Sequence, residues 1–282
     1  MTVLVTVRVD TSKNTGASLL VPVGISTPHQ TPVSFDVKGG TWRLAGESAT
    51  GQMAAVITPL GDGPVVLDYL FQNGGAQYPE TMFVPRQTRF TRAADALVED
   101  IRSLVDGTEN GHTLIEKIVN AVAEKFTYGH PVIRFNDGFE EIPYLSCGLT
   151  EGSCVDINTY LIACLRAAGI EAGYVYGYFF PEEKNGSCDD GHCWVVTRHD
   201  GEVREWDIAH HLKLGTREIC CGLNPKPGQR VAVAHSMGLS FPALGIVETK
   251  LLGEPAWAGA DGTLRKAELD IRCEQDGEAA VA

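Results

Sequence analysis

The segment from Ser146 to Leu214 constrains this chain most, because its periodicity changes from helical to extended and each element carries a chemically reactive side chain. Gly152-Ser153 precede Cys154, and the run CVDINTYLIACLRAA places Val155, Tyr160, Leu161, Leu165 and Ala168 at helical spacing. Gly169 is the expected helix stop. Ile170 to Phe180 reads as a strand, followed by a polar loop containing Lys184-Asn185-Gly186 and Asp189-Asp190-Gly191. His192 to Thr197 reads as the next strand, Arg198-His199-Asp200-Gly201 as a hairpin turn, and Glu202 to Asp207 as the returning strand. A cysteine therefore opens a helix, a histidine begins a strand, and an aspartate ends its neighbour.

That arrangement suits nucleophilic chemistry. The thiolate, not the thiol, attacks, and a helix N-terminus and a nearby imidazolium both favour it. Cys154 stands where unpaired backbone N–H groups collect, and those same groups can hold an oxyanion. A histidine can take the thiol proton and return it to a leaving group. An aspartate beyond it fixes its tautomer and orientation. Pairing of consecutive strands offers a way to bring His192 and Asp207 together. Singly, each residue also has a plain structural role: a small buried cysteine, a core histidine, a turn-forming aspartate. The inference rests on the ordered set in mutually consistent elements.

Residues 1–88 are rich in short branched segments, Val3–Val9, Val33–Val37, Met53–Thr58 and Val65–Leu70, separated by Gly39-Gly40, Gly61-Asp62-Gly63-Pro64 and Asn73-Gly74-Gly75. A small antiparallel sheet or sandwich is expected there. From Thr91, Ala94, Leu97, Val98, Ile101 and Leu104-Val105 recur at helical spacing up to Asp106-Gly107. A second helix is expected to carry Leu114, Ile115, Ile118, Val119, Val122 and Phe126 on one face, ending before Tyr128-Gly129. After about Gly222 come short β-like runs, Arg230–Ala234 and Ile246–Leu251, and a frayed end over Asp276–Ala282. The fold class is α+β: a β-rich N-terminal domain over 1–88, a core over 89–225 that carries the reactive residues, and a β-like extension over 226–282 packing on that core.

The 282 residues are 44% apolar and 21% charged, which is globular composition, and the formal net charge of -13 disfavours nucleic acid or an anionic membrane surface as partner. MTVLVTVRVD lacks the features of a signal peptide and no run is long enough to span a membrane, so a soluble, cytoplasmic protein is expected. The eight cysteines (147, 154, 164, 188, 193, 220, 221 and 273) are then expected as free thiols. A zinc site built from Cys188, His192, Cys193, Cys220 and Cys221 is the competing reading. No CxxC pair occurs, and adjacent cysteines rarely both serve one tetrahedral ion, so no metal or other cofactor is assigned.

Three separated segments resemble the transglutaminase-like superfamily: GSCVDINTYLIACLRAAGIEAGYVYGY at 152–178, within which the LRAAGI turn at 165–170 stands out, HCWVV at 192–196 and EWD at 205–207. The resemblance spans about residues 112–214. It implies a papain-like core with the cysteine helix packed on an antiparallel sheet, with Cys154 as nucleophile, His192 as general base and acid, and Asp207 as the orienting acid. Asp156 matches a frequent family residue. Val155 stands where animal transglutaminases carry Trp and Ser153 where they carry Gln; Glu171 and Gly173 replace the family's Pro and Arg after the helix. Tyr144, Ser146 and Ser153 are the available candidates for an oxyanion-binding side chain. The resemblance implies hydrolysis of a peptide or small amide through a thioester acyl-enzyme. The alternatives are acyl transfer to an amine, as in a transamidase, and a non-catalytic binding protein on the same fold. Oligomeric state leaves no trace in the sequence.

Overall fold

Strict alternation in Thr2–Val9 sets the architecture: Val3, Val5, Val7 and Val9 are buried while Thr2, Leu4, Thr6 and Arg8 face outward to varying degrees. In this computed structural model, which describes residues 1–12, 17–108, 111–222 and 224–275, that strand is central to a five-stranded sheet. Its order is Ser187–Cys188, Leu269–Gln275, Thr2–Val9, Val65–Asn73 and Gln30–Lys38. A second sheet orders Leu264–Lys266, Ala256–Ala258, Ser18–Pro22, Met53–Pro59 and Gly40–Gly46. Val5 and Val7 from the first and Leu19 and Ile57 from the second share one apolar core.

Within residues 1–88, the strands Ser18–Pro22 and Gly40–Gly46 were not evident from sequence pattern. The latter is an edge strand that alternation does not mark, since nearly all of it is exposed. The segment after 226 is shared between units. Gly228–His235 joins the sheet of the core, whereas Ala256–Ala258 and Leu269–Gln275 complete the two N-terminal sheets. Backbone ladders, not chain proximity, decide where these strands go, and pairing partners so distant in sequence leave no local signal. The end expected to fray, Asp276–Ala282, lies outside the described residues.

The core has helices α1 (Asp95–Val105), α2 (His112–Ala123), α3 (Cys154–Ala167) and α4 (Ile208–Lys213). Its sheet is antiparallel, ordered Glu202–Trp206, Gly191–His199, Glu171–Pro181 and Gly228–His235. Helix α2 stops at Ala123. Phe126, expected on its apolar face, instead begins the short strand Phe126–Tyr128, which pairs in parallel with Thr150–Gly152. Phe126 is nevertheless fully buried, against Tyr160 and Phe135, so the apolar period continued past the helix because the core did. Among the described residues no helix is long and apolar enough to cross a membrane.

Helix α3 ends as its sequence requires. Gly169 adopts φ +76°, its N–H donates to Arg166 O at 3.0 Å, and the Ile170 N–H donates to Leu165 O at 3.0 Å. The Arg166 guanidinium then donates to the carbonyls of Ala172 and Met82, pinning the helix to the strand that follows it. In that strand Gly177 lies opposite His192 on one side and Ala232 on the other. A Cβ on Gly177 would meet the Val231 carbonyl oxygen at 1.9 Å and Ala232 Cα at 2.9 Å, both backbone. Gly177→Ala is expected to lower stability by about 1–3 kcal/mol through this overpacking, measured by urea unfolding.

Candidate active site

Asp156, in the first turn of α3, accepts the Ser153 backbone N–H at 2.9 Å and the Ser153 hydroxyl at 2.6 Å, which fixes the start of the helix. Its carboxylate is itself met by Arg134 Nη1 at 3.2 Å and Lys250 Nζ at 3.7 Å. Cys154 is the first residue of this helix and is nearly buried. Its thiol is influenced by the thiol and backbone N–H of Cys193 and by His192. The Cys193 thiol is the largest influence lowering Cys154. Burial opposes it, His192 adds to it, and the thiol is left well below the ordinary range.

His192 is at the start of the central strand Gly191–His199, its side chain 16% exposed. Its Nε2 meets Asp207 Oδ2 at 2.7 Å, leaving Nδ1 for the thiol side. Burial pulls the imidazole down, but Asp207 and then Cys154 outweigh it, and the pKa is raised to about 9. The two shifts run in the same sense, the thiol toward thiolate and the imidazole toward imidazolium.

Strand pairing does not itself join His192 to Asp207. The ladder between the two strands ends at Val195–Trp206, short of His192. Asp207 instead leaves the strand and caps α4, accepting the His210 N–H at 2.9 Å, and this turn carries its other carboxylate oxygen to His192. The side chain is fully buried. Burial would raise its pKa, but His192, Arg230 and His210 hold it well below the usual carboxylate range.

Arg230 and His210 complete the arrangement, and sequence reasoning did not place Arg230. Arg230 comes from the edge strand Gly228–His235. Its Nη2 donates to Asp207 Oδ2 and, at 3.1 Å, to His210 Nδ1, while its Nε donates to Asn224 at 2.6 Å. The guanidinium is nearly buried, with the Phe179 and Trp194 rings each 5.2 Å away. Nothing in the motif at 205–207 announces an arginine so far along the chain. His210 had a weak signal, since it lies one helical turn past the cap. The oxyanion candidates fare differently: Ser153 is engaged with Asp156, while Tyr144 and Ser146 contact Lys125 and Cys147. Backbone N–H groups at the start of α3 are left as the available donors.

The sulfur-rich metal set is not gathered. Among the described residues, the group with metal-like donor spacing is His192, Asp207 and His210, within 4.8 Å of one another. There the Arg230 cation already occupies the carboxylate oxygen that faces His192.

Residues 97–206 match the family model for the transglutaminase-like superfamily, covering Cys154, His192 and the strand that delivers Asp207. This region is a transglutaminase-like core. Over the whole chain the fold is similar to that of a candidate cysteine protease from Cytophaga hutchinsonii, with a TM-score of 0.54 at 12% identity, covering 97% of this chain and 98% of that one. A looser likeness, TM-score 0.39 at 12% identity over 76% of this chain and 92% of the other, extends to the periplasmic domain of TgpA from Pseudomonas aeruginosa bound to ethylmercury. No curated protein sequence matches the chain.

Removing Arg230 leaves the buried Asp207 carboxylate short of a cation. Arg230→Met is expected to cost about 3–5 kcal/mol in chemical unfolding, the range for breaking a buried pair from one side. A loss within 0.5 kcal/mol, the scale of a surface change, would show that His192 and His210 suffice without it.

Proposed function

We propose that the protein is a cysteine-dependent hydrolase of amide or peptide bonds, with Cys154 as nucleophile, His192 as acid and base, and Asp207 as the group orienting His192. The observation that carries this reading is the continuous line of charge from the Cys154 thiol through His192 to the buried Asp207. The transglutaminase-like core and the fold it shares with the Cytophaga protein support a cysteine-dependent enzyme in general.

In this mechanism the Cys154 thiolate attacks the carbonyl carbon, and the carbonyl oxygen takes up negative charge near the N–H groups of the first turn of α3. His192 then gives its Nδ1 proton to the departing amine as the tetrahedral intermediate collapses to a thioester. Water enters, His192 takes its proton, and attack on the thioester carbonyl returns the thiol. Asp207 keeps its charge throughout and holds Nε2. The substrate in this reading is a peptide or a small amide.

The pH dependence follows from the pair. Activity should rise through the acidic range as Cys154 ionises, and fall as pH passes about 9, where His192 loses the proton it must donate. Iodoacetamide should label Cys154 selectively at pH 6, and His192→Ala should move that labelling toward the pH of an ordinary thiol. Cys154→Ala should abolish turnover of amide substrates, and His192→Ala should reduce it by about 10²–10⁴-fold. Reaction with and without an added primary amine separates hydrolysis from transfer: acid product alone supports the hydrolase, and amine-linked product replaces it with a transamidase. Labelling of Cys154 no faster than that of the exposed Cys147, Cys220 and Cys221, and unaffected by His192→Ala, would overturn the nucleophile assignment.

A further inference from the structure

A second thiol lies close to the proposed nucleophile, and the mechanism does not use it. Cys193 follows His192 on the central strand, is fully buried, and shares the apolar core that holds Cys154. Its place is fixed from the helix side. Asn158, one turn after Cys154 on α3, donates through Nδ2 to Cys193 O at 2.9 Å and to Cys193 Sγ at 3.4 Å. The first two turns of α3, opened by Cys154, are thereby clamped to the strand at Cys193. None of the eight cysteines is in a disulfide, so both thiols are available for oxidation.

We propose that Cys154 and Cys193 form a covalent modification site: peroxide oxidises Cys154, and Cys193 resolves the product as an intramolecular disulfide that reversibly blocks the nucleophile. This rests on the assignment of Cys154 as an activated thiol. In the first step the Cys154 thiolate attacks one oxygen of hydrogen peroxide, an S–O bond forms, the O–O bond breaks, and hydroxide leaves. In the second step the Cys193 sulfur attacks the sulfenyl sulfur, the S–S bond forms, the S–O bond breaks, and the departing hydroxide takes the Cys193 proton as water. The hydroxide from the first step takes the His192 imidazolium proton, so one peroxide is reduced to two waters as the two sulfurs are oxidised.

The environment suits this division of labour. Burial, then the Cys154 charge, hold Cys193 above the ordinary thiol range, so it stays protonated while Cys154 is the thiolate. Oxidation of Cys154 to the sulfenic acid removes that charge from beside Cys193, which eases its ionisation when attack is due. Sulfenic acids without a resolving thiol go on to sulfinic acid, which thiol reagents do not reverse. A buried partner in the same core makes resolution intramolecular and competes with that loss.

The test uses the full reduced chain treated with a few equivalents of hydrogen peroxide, then digested with trypsin without reductant. Residues 135–166 carry Cys147, Cys154 and Cys164, and residues 185–198 carry Cys188 and Cys193, so fragmentation mass spectrometry must place the bond. A Cys154–Cys193 linkage is expected as the main product, with iodoacetamide labelling of Cys154 lost and then restored by dithiothreitol. In Cys193→Ser, sulfinic acid at Cys154 is expected to rise at least about tenfold, with labelling no longer restored. Accumulation of sulfinic acid in the unaltered protein without this linkage, or linkage of Cys154 to another cysteine, overturns the proposal. Inertness of Cys154 toward both peroxide and iodoacetamide overturns the nucleophile assignment and this proposal with it. Rapid iodoacetamide labelling without the disulfide overturns only the proposal.

Discussion

Everything at the candidate site depends on keeping one carboxylate charged where water does not reach. Taking a carboxylate out of water costs several kcal/mol even after relaxation. Asp207 meets that cost with partners from three elements: the N–H of His210 in α4, the imidazole of His192 on the central strand, and the guanidinium of Arg230 on the edge strand. Because the carboxylate stays ionised, His192 is held toward the imidazolium, and His192 in turn adds to the lowering of the thiol that Cys193 leads.

The thiol end has its own support. The protein is acidic overall, yet the first turn of α3 is met by Arg134 and Lys250, which offset Asp156 close to Cys154. Net charge describes the far field and solubility. The local field at the sulfur comes from the helix start, the imidazolium and the N–H and S–H of Cys193. An acidic surface and a stabilised thiolate are compatible for that reason.

How much of this was legible in the sequence follows from the range of each interaction. The helix opened by Cys154, its stop at Gly169, and the two strands around His192 and Trp206 are specified within one continuous segment, and their order was readable there. The step from Trp206 into a capping Asp207 was read only as a strand end, because a strand that stops and a helix that begins share that residue. Arg230, Lys250 and Arg134 reach the site from outside the segment. A lone basic residue in a β-like run has no pattern that distinguishes a buried partner of Asp207 from a solvated side chain. Cys193 was visible in the sequence only as a possible metal ligand, since the fold, not the spacing, turns it toward Cys154. The edge strand Gly40–Gly46 was hidden for a different reason: alternation reports burial, and that strand has little to report.

The pairing of Thr2–Val9 with both Val65–Asn73 and Leu269–Gln275 bears on the order in which this molecule can be made. A chain emerging from the ribosome holds Cys154, His192 and Asp207 well before Arg230 has been added, and Arg230 before the last strand of the first sheet. Contacts between the two ends of a chain close the longest loops, form late, and slow folding. Until they form, the first strand has one free ladder edge, and until Arg230 arrives the buried carboxylate lacks its cation. The same long-range pairing that left these strands unreadable from local pattern thus makes the first sheet wait for the segment through Gln275.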